Sequence, residues 1–158
     1  MILIPVLILI LFLFPFAVTA IMQPWVDTRR TLELQEVASH LSSAIQQVYF
    51  SLNHSSIQAG KLTSTLDIPL FIEGYWFNGT ATLRPALNPQ EDASQVLDIR
   101  LRINMLDLSI NSSVTLGQNV EWQNSYFLSN STYGVHVPQL AAQKMTDGTV
   151  RLAFGELT

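Results

Sequence analysis

Cysteine is absent from the 158-residue chain, which removes disulfides, thiolate nucleophiles and thiolate metal sites together. Charge is scarce as well: Asp, Glu, Lys and Arg make up 13% of the residues, and the formal net charge is −4. Lysine occurs only at Lys61 and Lys144. So few cations cannot build the basic surface that neutralises phosphates, so nucleic acid is excluded as the primary partner. The scarcity is most extreme at the start. No charged residue precedes Asp27, and from Met1 to Met22 only Thr19 interrupts the apolar run "MILIPVLILILFLFPFAVTAIM".

A helix of about 22 residues is about 33 Å long, a match for a hydrocarbon core of about 30 Å. A cleaved export signal needs a basic start, a short apolar centre and a small-residue cleavage site, and "AVTA" ending at Ala20 supplies only the last of these. An ordinary anchor meets a different difficulty. The nearest cations, Arg29 and Arg30, follow the run, and by the positive-inside tendency they would keep the remainder of the chain in the cytoplasm.

The remainder reads as exported. Four of eight asparagines head Asn-x-Ser/Thr sequons, at Asn53, Asn78, Asn111 and Asn130, where chance placement gives about one. These four are the candidate glycosylation sites. A third reading removes the conflict: a basic leader once preceded Met1, set the orientation and was cut off, so that the mature chain begins with its own apolar helix.

After Trp25 the texture changes. Leu34, Val37, Leu41, Ala44, Ile45, Val48 and Leu52 recur at steps of three and four, with Glu33, Glu36, His40, Ser43 and Gln47 between them, which predicts an amphipathic helix of about 26 residues. Asp27 or Thr28 is expected to cap it. Pro15 and Pro24 are expected hinges, Pro24 with a bend or a locally melted turn, since an internal proline removes one hydrogen bond and crowds the preceding turn. Pro5 lies in the first turn, where a missing amide hydrogen costs little. Run together, the two segments form a rod of about 75 to 80 Å.

From Gly60 onward period two takes over. In "VLDIRLRINMLDLSIN", Leu97, Ile99, Leu101 and Ile103 oppose Asp98, Arg100, Arg102 and Asn104, the pattern of a strand with one wet face. Leu106, Leu108 and Ile110 are out of phase with it, so a bulge or tight turn is required near Asn104 and Met105, leaving Asn111 on the polar face. Further strands are expected in "KLTSTLDI", "GYWFNGTATL", "VTLGQNVEW" and "YGVHV", and in a final hairpin "AAQKMTDGTVRLAFG" turning at Asp147-Gly148. "NPQEDAS", Asn88 to Ser94, reads as a loop. Asn78-Gly79 is itself a hairpin-turn signal, but the alternation of Tyr75, Phe77, Ala81 and Leu83 favours one continuous strand. The fold class is α+β: an apolar and then amphipathic N-terminal helix, followed by an antiparallel β-sandwich or open-barrel head.

Catalytic signals are lacking. His40, His54 and His136 are isolated, no Gly-x-Ser-x-Gly elbow exists, "GKLTST" has Ser55 where a phosphate loop needs its first glycine, and Glu91-Asp92 sit in a loop without calcium-site spacing. Trp25 reads as a membrane-interface residue. Trp76 and Trp122 are candidate contact aromatics for a subunit, glycan or ligand.

The leaderless apolar helix with an early proline, its amphipathic continuation and a sequon-rich, cysteine-free strand region resemble the archaeal type IV pilins and archaellins. "LDIPLFIEGYWFNGTATL", Leu66 to Leu83, is similar to a Leu-Pro, Gly, Tyr segment of archaeal pilin heads. Pro5 stands where many bacterial pilins carry Glu.

The resemblance implies a non-enzymatic filament subunit with residues 1–25 as membrane anchor and then filament core, 26–56 as helix continuation, and 57–158 as head. Core packing falls to Met1, Ile2, Leu3, Ile4, Pro5, Val6, Leu7, Leu9, Leu11, Phe12, Phe14 and Phe16. Identical subunits, the bilayer before assembly, a prepilin peptidase and an assembly platform are the implied partners. N-linked glycans are expected and cofactors are not. The alternative is a membrane-tethered exported binding module, such as a minor pilin or a surface-layer-associated glycoprotein.

Overall fold

The computed structural model describes residues 3–86, 94–132 and 136–157. Met1, Ile2, most of the expected loop at Asn88–Ser94 with its Glu91 and Asp92, and the first three residues of "YGVHV" lie outside these, as do the side chains of Leu3 and Pro5.

A single α-helix, α1, runs from Leu3 to Asn53, about 76 Å at 1.5 Å per residue. It continues as α-helix through Pro15 and Pro24, without the melted turn expected at Pro24. Each proline still takes away one amide donor, so the carbonyls of Leu11 and Ala20 have no intrahelical partner four residues on. With no break at Pro24 there is no second helix start to cap. Asp27 instead pairs with Arg30 at 3.2 Å, and the Thr28 hydroxyl donates to the Pro24 carbonyl at 2.7 Å.

The second half of α1 presents Leu34, Val37, Ala38, Leu41, Ile45, Val48, Tyr49 and Leu52 as one buried stripe. Two four-stranded sheets close over it. One has the order β1 (Gly60–Thr65), β7 (Gln139–Lys144), β8 (Val150–Phe154), β5 (Val120–Trp122); the other runs β4 (Leu108–Leu116), β3 (Gln95–Ile103), β2 (Asn78–Pro85), β6 (Tyr126–Leu128). Side chains from α1 and both sheets form one hydrophobic cluster, with Phe77, Phe127 and Phe154 among its largest members.

The strand β3 buries Leu97, Ile99, Leu101 and Ile103, as their alternation requires. The phase change beyond it is a tight connection: a 3-10 turn at Asn104–Leu106 closed by Asp107 in the left-handed region (φ 50°). The last hairpin pairs Lys144 with Val150, and Gly148 takes φ 88° in its turn. Lys144 is itself buried, and its ammonium donates to the His54 carbonyl just past the end of α1 at 3.0 Å.

Several expectations are corrected. The sheets are not purely antiparallel, because β5 pairs with β8 in parallel. "VTLGQNVEW" is divided at Gly117 between β4 and β5, a short strand β6 forms at Tyr126–Leu128, and His136–Pro138 contains no strand. In "KLTSTLDI" pairing stops at Thr65.

Asn78-Gly79 makes no turn but opens β2, so the strand expected to run from Tyr75 begins only at Asn78, with Gly79 opposite Phe127 of β6. A Cβ added at Gly79 would stand 2.0 Å from Cε1 of the Phe127 ring. The glycine is there so that the ring can lie against backbone, one of the uses of glycine within a strand. Gly79→Ala is therefore expected to destabilise the chain by about 3 kcal/mol, read as a lowered unfolding midpoint of the full chain in detergent. A wild-type midpoint would show that the ring does not occupy that space.

Candidate functional site: the apolar rod and its neck

The first half of α1 is uncovered. Every described side chain from Ile4 to Trp25 is exposed, including the candidate packing residues Ile4, Val6, Leu7, Leu9, Leu11, Phe12, Phe14 and Phe16, and Trp25 at its end is 77% exposed. Fully covering one such side chain is worth about 1.5–3 kcal/mol, so the rod as a whole leaves tens of kcal/mol unrealised in water. The helix is long and apolar enough to cross a membrane. Of the two polar side chains between Ile4 and Trp25, Thr19 and Gln23, Thr19 donates its hydroxyl to the Pro15 carbonyl at 2.8 Å, which suits a segment with no water to satisfy it.

Where the rod meets the head, charge appears abruptly and is held in ion pairs. Arg30 Nε donates to Glu73 Oε2 at 3.0 Å and its Nη1 to Asp27 at 3.2 Å, while its guanidinium lies 5.3 Å from the centre of the Tyr75 ring. Arg29 Nε lies 3.0 Å from Glu33 and 3.4 Å from Glu73. Three carboxylates thus face two guanidiniums. The cations that sequence reasoning weighed as topology signals are engaged in tying the head to the helix.

Glu73 reaches them from a tight turn in which Ile72 and Tyr75 exchange two backbone hydrogen bonds, of 2.9 and 3.0 Å. Both central residues have positive φ, 46° at Glu73 and 84° at Gly74, the signature of a type I′ turn. Glycine adopts this freely and glutamate does not, so the arginine contacts help hold Glu73 there. Sequence reasoning missed this residue because its partners lie a whole helix and strand away; the one available signal was Gly74 between short apolar runs.

Between α1 and the Leu66–Ile72 segment runs a groove of about 370 Å³, lined by Glu33, Glu36, Val37, His40, Asp67, Ile68, Pro69, Phe71 and Ile72. Its floor is apolar and its rim acidic. His54 and His136 are elsewhere: His54 Nδ1 is 2.8 Å from Ser56 Oγ, and His136 meets the Tyr126 ring edge-on at 5.1 Å. Among the described residues no group of three or more His, Asp or Glu side chains comes together at metal-binding spacing.

At the far end of the buried stripe, Tyr49 Oη donates to Asn119 Oδ1 (2.9 Å) and accepts from Asn53 Nδ2 and the Gly117 amide (both 3.0 Å). Asn119 Nδ2 in turn donates to Asn53 Oδ1 (2.9 Å) and to the Gly148 carbonyl (2.6 Å). Asn111 and Asn130 are exposed and Asn78 is half-buried. Trp122 packs edge-on against Phe154 at 4.9 Å, which commits its ring to the core, and Trp76 is half-buried.

The chain matches no family model, no curated protein and no solved structure at a significant level.

Burial holds the Tyr49 hydroxyl above the ordinary phenol value of 10.0, with the Gly117 amide opposing the shift. As pH rises the unfolded chain therefore releases this proton first, so the contribution is complete below about pH 10 and is lost as pH climbs through the folded value. Tyr49→Phe is expected to cost about 1–3 kcal/mol at neutral pH, because three polar groups lose their shared partner, and to flatten the decline above pH 10. Denaturant melts across pH check both, and an unchanged neutral midpoint would contradict the cluster's role.

Proposed function

We propose that the chain is a structural subunit of an extracellular filament of the type IV pilin kind, with α1 bundled among copies of itself and the strand-rich region facing outward. The observation that carries this reading is the uncovered apolar half of a helix whose other half is the spine of a folded head. A rod of this kind has two available solvents, lipid and protein.

Moving it from lipid to a bundle gains little hydrophobic free energy, since lipid tails are already apolar, so close side-chain packing must hold the filament. Contacts that repeat without closing generate an open helix of subunits. Before assembly the same segment sits in the bilayer, with Trp25 at the level where tryptophan concentrates and the ion-paired neck just outside. The pilin resemblance adds a prepilin peptidase and an assembly platform as partners. A chain in this role needs shape and cohesion and no active site.

Negative-stain microscopy with an antibody against the head tests the reading. Thin labelled filaments are expected on cells, and Leu11→Lys is expected to abolish them, since a lysine at the centre of an apolar helix costs about 3 kcal/mol in lipid and leaves a buried, unpaired charge in a bundle. Label confined to the membrane as separate particles would contradict it and favour the tethered binding module.

A further inference from the structure

The four sequons do not have equivalent surroundings. Asn78 on β2 is opposite Arg102 on β3, and Asn111 on β4 is opposite Arg100 on the same strand. Arg100 and Arg102 both point away from the buried Leu97, Ile99, Leu101 and Ile103, and residues directly opposite one another share a face. Asn78 and Asn111 therefore stand on the outer face of this sheet. Strand period two puts their sequon hydroxyls, Thr80 and Ser113, on that same face, and both residues are exposed. Asn130 follows two residues after Leu128, which is opposite Asn78 on β6, and is exposed. With strands about 4.8 Å apart and a rise of about 3.4 Å per residue, each of Asn111 and Asn130 lies within about 12 Å of Asn78.

Asn53 is exposed, as Asn111 and Asn130 are, and differs in how its side chain is held. It is the last residue of α1, so its backbone is fixed in helix. One hydrogen of its Nδ2 is committed to Tyr49 Oη and its Oδ1 accepts from Asn119. An amide held at both ends cannot turn its nitrogen toward a transferase without breaking both bonds, which leaves Tyr49 alone to join α1 to the β4–β5 connection.

We propose that N-linked sugar is carried on one side of the head only, the outer face of the β4-β3-β2-β6 sheet, at Asn78, Asn111 and Asn130, and that Asn53 is a structural residue that escapes modification. The inference rests on the exported-subunit reading. Its consequence is a two-sided head: a sugar-bearing sheet face, and a bare flank along α1 and the acidic groove.

Intact-mass measurement and glycopeptide mapping of the full chain from its native cells test it. Sugar is expected at Asn78, Asn111 and Asn130 and none at Asn53. Thr80→Ala, Ser113→Ala and Thr132→Ala, which delete the sequon hydroxyls, should each remove the mass of one glycan. Ser55→Ala should change neither glycan mass nor melting temperature, while Asn53→Ala should keep the glycan mass and lower the melting temperature by about 4 °C. Sugar on Asn53, or any of the other three left bare, overturns the inference. A chain without any sugar also overturns it, and leaves the filament reading to be judged by microscopy alone.

Discussion

One helix has to satisfy two surroundings. Its first half offers an almost wholly apolar surface that water cannot solvate without a cost of tens of kcal/mol, and its second half offers a stripe only wide enough for one side to be covered. The head covers that stripe, and no part of the described chain folds back over the rod. No described residue shields the side chains of this segment, and the molecule's biology follows from what covers them.

The head is fastened to the helix at both ends of the buried stripe. At the rod side, Glu73 in its strained turn grips Arg29 and Arg30. At the far side, Tyr49, Asn53 and Asn119 join the end of α1 to the β4–β5 connection and to the last hairpin, and Lys144 reaches the His54 carbonyl. Apolar packing supplies cohesion between these ties, but it is non-directional. The polar contacts fix where along the helix the head sits, and so how far the rod projects from it.

The parts of this layout that were legible in the sequence are those set by local period. Leu34 to Leu52 recur with the helical repeat, Leu97 to Ile103 alternate, and Asp147-Gly148 marks a hairpin; each pattern reflects one element meeting one core. What was not legible depends on contacts between distant residues. Asn78-Gly79 has the residues of a turn and instead opens β2, where the Phe127 ring needs a site without a Cβ. The parallel pairing of β5 with β8 and the shortness of β6 leave no periodic trace. Pro15 and Pro24 do not interrupt α1, since each removes only one hydrogen bond from a helix with many others. Of the site, the rod was plain from composition, while the Glu73 clasp was invisible because its two sides share no sequence neighbourhood.

The central claim is that the rod is shielded by other copies of itself. The chain has no cysteine, so Leu11→Cys would carry a single nitroxide at the centre of the rod. Packed helices lie about 8–10 Å apart, and electron paramagnetic resonance of the assembled, fully labelled protein is predicted to show strong dipolar broadening that disappears on dilution with unlabelled chain. A spectrum of isolated, lipid-exposed labels that dilution leaves unchanged would contradict the account.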